Sequence, residues 1–172
     1  MRDPLRTKLL GLLDQVKAAG KRVSFDPNFR NIMTAAYDDT LRYVGMRADV
    51  LKVSDEDLVG LFRTDDPAEG FARLRAINAT APILLTRGAE GAELHLAGKV
   101  LTQRPPAIDV VDTVGAGDAS IGGLLYSLMS APDTGWDAHL RFSVAAGAAA
   151  CLRAGATPPT RELVEQVLQR MP

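Results

Sequence analysis

The residues of this chain best suited to chemistry lie in one stretch, Asp112-Thr113-Val114-Gly115-Ala116-Gly117-Asp118. Two glycines sit where an apolar segment, 107–111, gives way to a run, 119–129, that reads as a buried helix. At such a strand-to-helix junction glycine lets the backbone turn its N–H groups toward one point, and the helix start adds partial positive charge. That is a cradle for an anion, suited to phosphate oxygens. An acid inside the cradle, Asp118, cannot bind phosphate, but it can take a proton from a hydroxyl that attacks phosphorus. Gly-x-Gly-Asp alone also marks ordinary turns and helix starts, so the rest of the chain has to weigh in.

The elements that would position this stretch read as alternating helices and strands. Asp3 and Pro4 open a helix, with Leu5, Leu9, Leu12, Leu13 and Val16 at helical spacing and Gly20 at its end. A short strand over 21–25 is ended by Pro27. That leaves Asp26, Asn28 and Arg30 at its carboxyl end, where open α/β sheets place ligands. Residues 34–46 read as helix and 48–53 as strand. Ser54 and Asp57 then nearly match a capping box at the next helix start.

A helix over 67–77 and a strand over 82–85 lead to Thr86-Arg87-Gly88-Ala89-Glu90-Gly91, on its own a glycine turn into a strand over 92–96. Gly98 and Lys99 turn a hairpin, and Arg104-Pro105-Pro106 leads to the cradle. Beyond it, Gly122 and Gly123 are expected to pack closely on a sheet, and 136–153 to form a long alanine-rich helix. Thr160 caps a last amphipathic helix bearing Leu163, Val164, Val167 and Leu168. Cys151, His95 and His139 read as structural residues.

The string Asp-Thr-x-Gly-Ala-Gly-Asp, followed by a helix of small residues, resembles the C-terminal motif of the ribokinase-like (pfkB) sugar kinases. The resemblance implies that Asp118 is the catalytic base and that Gly115, Ala116 and Gly117 form the anion hole for the transferring phosphoryl group. Asp112 opens the same motif and is expected on the cofactor side. The family often has Phe where this chain has Ser120, a departure that touches packing more than chemistry.

Three further segments resemble the family in the same order. Asp26-Pro27-Asn28-Phe29-Arg30 is similar to the Asp-Pro-Asn-x-Arg of fructokinase-like and ketodeoxygluconate-kinase-like members, which implies that Asn28 and Arg30 face substrate beside Asp118. Ser54 and Asp57 fall on a motif that helps hold Mg²⁺ through water. Thr86, Gly88 and Gly91 match a segment that contacts the nucleotide, ATP. The family resemblance also implies a monovalent cation, K⁺, on backbone carbonyls around Val114 and Ala150.

Composition bounds the rest. With 20 basic and 21 acidic residues among 172, nothing suggests a nucleic-acid surface. A hydrophobic share of 47% with 5% aromatics reads as an Ala/Leu/Val-rich α/β protein. One cysteine allows no intrachain disulfide, which fits the cytoplasm. The sequence has no charged-then-apolar leader and no 18-residue apolar run, so no membrane partner is expected.

The expected fold is α/β, a three-layer α-β-α ribokinase-like arrangement, representing the C-terminal portion of a mostly parallel sheet flanked by helices. By resemblance, residues 1–172 are the nucleotide-binding and catalytic part, without the sugar-binding half and lid that precede it in relatives. The expected activity is ATP-dependent phosphoryl transfer to a sugar hydroxyl, weak or lost in the chain alone. The expected partners are the sugar, ATP, and either an oligomer or the missing half. A nucleotide-binding module without catalysis is the main alternative. A dinucleotide-dependent oxidoreductase is disfavoured, because no Gly-x-Gly-x-x-Gly follows the first strand.

Overall fold

The computed structural model describes residues 3–171. They divide into two compact units, the first ending at Ile83 and the second beginning at Leu84. In the first, α1 (Leu5–Ala18) precedes β1 (Ser24–Phe25), a 3₁₀ turn at Ala35–Tyr37, α2 (Asp38–Gly45), β2 (Val50–Ser54), α3 (Asp55–Phe62) and α4 (Pro67–Ile77). β1 and β2 run parallel, with Ser24 opposite Val50 and Phe25 opposite Leu51. The Leu51 N–H donates to Pro82 O at 2.9 Å, where β3 (Ile83–Thr86) begins. Leu51, Val53, Leu58, Leu74 and Ile83 are fully buried and form the apolar centre of this unit. Each contributes about 1.5–3 kcal/mol by leaving water.

Several expectations shift here for identifiable reasons. α1 starts at Leu5 with Pro4 as N-cap, and Asp3 instead accepts from the Thr7 hydroxyl at 2.6 Å. β1 is two residues long because the Val23 N–H is taken by the Asp49 carboxylate at 2.7 Å, a side chain also held by Lys17. The helix expected over 34–46 begins as the 3₁₀ turn and becomes α-helical only at Asp38.

In the second unit β3 leads through a 3₁₀ turn (Gly88–Glu90) to the hairpin of β4 (Ala92–Leu96) and β5 (Lys99–Gln103), in the order β3-β4-β5. β4 and β5 are antiparallel about Gly98, with Leu96 opposite Lys99. Parallel and antiparallel pairs both occur, so this is an α/β protein with a mixed sheet flanked by helices. The helices here are α5 (Ala116–Ser130), α6 (Trp136–Ala150) and α7 (Arg161–Gln169). Among the described residues, no helix is long and apolar enough to cross a membrane.

The segment 107–111 is not a strand. Pro105 and Pro106 bring no N–H to a ladder, the Val111 N–H goes to Cys151 O at 2.9 Å, and Val110 and Val111 are exposed. The cradle therefore follows a loop tied to the end of α6. α5 is buried on one side only, leaving Met129 exposed. Its close packing at Gly123 is on a helix rather than a sheet, since a Cβ there would lie 2.6 Å from Ala146 Cβ, whereas one on Gly122 would meet nothing. α6 stops at Ala150, short of Arg153, and Thr160 caps α7 by accepting from Leu163 N–H. The two histidines are structural as expected: His139 is buried with Nδ1 2.8 Å from Ser127 Oγ, and His95 lies 2.8 Å from Glu93.

Candidate active site

Gly115 is the N-cap of α5, in the left-handed region at φ +82°, and no side chain caps the helix. A Cβ there would lie 3.3 Å from Ala156 Cα, so the position suits glycine on conformation and on space. Ala116 N–H turns back to Thr113 O at 3.1 Å, and Ala119 N–H donates to Gly115 O at 2.8 Å. Between them, the Gly117 and Asp118 N–H groups have no acceptor among the described residues. Open first-turn amides on a 15-residue helix present roughly half a positive charge, and an anion is their natural partner.

The Asp118 carboxylate stands beside these amides, exposed, with no hydrogen bond or ion pair among the described residues. Arg161 lies in the same cleft, but its Nε donates to Glu165 at 2.7 Å. Asp112 is placed differently from the expectation of a cofactor contact. Its Oδ1 accepts from Val114 N–H at 3.0 Å and its Oδ2 from Gly155 N–H at 2.8 Å, bracing the loop that leads into the cradle. The Val114 amide first, then that of Gly155, holds its carboxyl below the usual carboxylate value.

Two cavities share the first turn of α5. One, of about 420 Å³, is lined by Gly115, Asp118, Gly122, Tyr126, Phe142 and Pro158, with the Tyr126 and Phe142 rings stacked at 5.5 Å. The other, of about 460 Å³, is lined by Thr86, Gly88, Gly91, Ala116, Gly117 and Cys151. Both fall in the size range of small-molecule sites. The second brings the glycine turn and the cradle backbone to one space, while Asp118 faces the first. The turn itself is rigid: Arg87 N–H donates to Gly91 O at 2.8 Å, and a Cβ on Gly91 would come within 2.1 Å of Gln103 O. Burial first and the Asp112 charge second push the Cys151 thiol up, which disfavours its thiolate.

The remaining expected residues belong to the first unit. Asn28 adopts φ +43°, and its Oδ1 accepts from Arg30, whose guanidinium also donates to Phe29 O at 2.8 Å. Ser54 and Asp57 form a complete capping box on α3: Ser54 Oγ accepts from Asp57 N–H at 3.0 Å, and Asp57 Oδ2 accepts from Ser54 N–H at 2.8 Å. Asp57 Oδ1 accepts from Phe29 N–H at 2.7 Å, and Lys52 Nζ lies 3.8 Å from Oδ2. With those oxygens taken and an ammonium beside them, the pair could serve a divalent ion only through water, which is the role expected of it. No group of three or more metal-ligating side chains occurs among the described residues. The carbonyls expected to hold a monovalent ion are partly taken too, Ala150 O by Arg153 N–H at 3.4 Å and Cys151 O by Val111 N–H.

One cluster here escaped the sequence reading. Lys52 is 5% exposed, and its Nζ lies 3.1 Å from Asp26 Oδ2. Burial raises the Asp26 carboxyl above its usual value, and Lys52 opposes that rise. This buried pair anchors the turn that carries Asn28 and Arg30. Its signal in the sequence was a lysine inside an apolar strand, Leu51-Lys52-Val53.

The chain is similar to known carbohydrate kinases. A fructokinase of Klebsiella pneumoniae is 36% identical over 129 residues, which cover 73% of this chain and 42% of that protein. The crystal structure of fructokinase from Vibrio cholerae, with fructose, ADP and calcium bound, superposes with a TM-score of 0.83 at 30% identity over 97% of this chain and 57% of that one. Aminoimidazole riboside kinase from Salmonella enterica, bound to aminoimidazole riboside and an ATP analog, gives 0.82 at 29% identity, over 92% of this chain and 56% of that chain. The chain spans about half the length of the curated relatives it matches. The model of the pfkB family carbohydrate kinases matches residues 1–163, and the chain belongs to that family.

Proposed function

We propose that this chain is the nucleotide-binding and catalytic part of an ATP-dependent carbohydrate kinase of fructokinase type. The observation that carries the reading is the open pair of amides at Gly117 and Asp118 beside an unpaired carboxylate. MgATP is the phosphoryl donor, with its nucleotide along Thr86, Gly88 and Gly91 and its terminal phosphate at the cradle. The acceptor sugar approaches from the cleft that Asp118 faces. Asp118 accepts the proton of the attacking hydroxyl, while the open Gly117 and Asp118 amides neutralise charge gathering on the phosphoryl oxygens. Asp112 keeps the loop in shape, and Asn28 and Arg30 are substrate-facing residues that Lys52 and Asp26 hold in place. We assign no step to a metal at Ser54 and Asp57, or to a cation at Val114 and Ala150.

Titration of the chain with ATP and with NAD tests the nucleotide assignment. ATP is expected to bind saturably and NAD not at all. Preferential binding of NAD would overturn the reading in favour of an oxidoreductase. If ATP binds and no turnover appears even when the sugar-binding half of the enzyme is supplied, the chain is a binding module instead.

A further inference from the structure

The first unit contains a cavity that the proposed kinase chemistry leaves unused. It measures about 400 Å³ and lies among α2, α3 and α4, with Arg42, Arg63 and Arg73 on its edge and Leu41, Leu61 and Ile77 among its walls. Its back is fixed. A Cβ on Gly45 would lie 3.1 Å from Ile77 Cγ2, and buried Asn78 ties the ends of α2 and α4 by donating to Gly45 O and Ala48 O at 2.8 and 2.9 Å.

The guanidinium groups are unevenly matched. Arg63 pairs with Asp38 and Arg73 with Glu69, both at exposed positions, where such pairs stabilise by only about 0–1 kcal/mol. Arg42 is exposed and has no hydrogen-bonding side-chain partner among the described residues. Arg63 adds a second sign. It closes α3 in the left-handed region at φ +52°, a position where glycine is the usual residue. From there its guanidinium donates to Leu61 O at 3.3 Å, and Arg73 donates to Phe62 O at 3.1 Å. The carbonyls that end α3, which would otherwise repel an anion, are thus already covered.

We propose that this cavity is a binding site for a small organic anion, a phosphate or carboxylate group carried on an apolar body. The charged group would be taken by Arg42 together with Arg63 or Arg73, displacing a weak surface carboxylate, since guanidinium binds both anions in a two-pronged fashion. The apolar body would lie against Leu41, Leu61 and Ile77. None of the residues lining this cavity is a proposed phosphoryl-transfer residue.

Calorimetric titration of the chain with phenyl phosphate, benzoate, inorganic phosphate and phenol tests this, with saturating ATP present to fill the cradle. Phenyl phosphate or benzoate should bind at least about tenfold more tightly than inorganic phosphate or phenol. Arg42→Glu should weaken that binding by at least about tenfold and leave the ATP titration unchanged. Whichever of phenyl phosphate and benzoate binds more tightly identifies the headgroup. Equal binding of inorganic phosphate would mean an adventitious ion only and overturn the proposal. Equal binding of phenol, no saturable binding, or indifference to Arg42→Glu would overturn it as well; because Arg42 is exposed and unpaired, this variant tests binding rather than folding.

Discussion

Asp112 and Asp118 are the same residue type six positions apart, yet their surroundings divide their work. Asp118 has no partner among the described residues, as its proposed part as proton acceptor requires. Asp112 has given both oxygens to backbone amides, which lower its carboxyl below the usual value near 3.8. The stability this supplies is therefore present above that value and is lost as pH falls below it through the folded-state value. Asp112→Asn should lower stability at neutral pH and flatten the acid-side decline below about pH 4, read from urea midpoints across pH. An unchanged acid slope would show that the brace contributes nothing. The sequence places both aspartates in one motif, but only the fold separates their hydrogen-bond partners. The bond from Asp112 to Gly155 spans 43 residues, and no local pattern announces it.

At the scale of elements, the legible features were those set by neighbours in sequence. Ser54 and Asp57 stand three apart and formed the box their spacing implied, and α4 runs over 67–77 as expected, with Asp66 found to cap it ahead of Pro67. The segment 107–111 shows the limit: its apolar run fits a strand, but the prolines before it and a hydrogen bond from the end of α6 hold it as a loop. The crossing of α5 and α6 was also hidden, because it depends on glycines meeting particular partners. A Cβ on Gly147 would come within 2.2 Å of Ser120 Oγ and 3.2 Å of Ala116 O, at the first turn of α5. Gly147→Ala should therefore cost about 1–3 kcal/mol of stability and weaken nucleotide binding with it. Gly122→Ala, with nothing in the way, should be neutral or stabilising by up to about 1 kcal/mol. Denaturant unfolding of the two variants checks the contrast, and equal effects would contradict this account of the crossing.

Across the whole molecule, both units present apolar surface that a chain with a formal charge of −1 does little to keep apart. Leu5 and Leu12 on α1 are more than half exposed, as are Val110 and Val111 beside the cradle. α1 contributes no fully buried residue: of its apolar stripe, visible in the sequence, Leu5, Leu9 and Leu12 are exposed and Leu13 and Val16 half-buried. If relatives about twice as long place the acceptor with residues this chain does not contain, the 172-residue chain should bind ATP but turn over slowly. Proximity supplies on the order of 7–11 kcal/mol of barrier lowering where acceptor and donor are both held. A coupled ADP-release assay on the purified chain with fructose checks this, and turnover at the level of intact fructokinases would contradict it.

The account rests on Asp118 as the proton acceptor beside an amide cradle. Its most direct test is kcat and ATP affinity for Asp118→Asn, measured in the full enzyme to which this chain is proposed to belong. The account predicts a kcat lower by roughly 10²–10⁴ with ATP affinity unchanged. A variant that keeps most of its rate would remove Asp118 from the chemistry and, with it, the proposed mechanism.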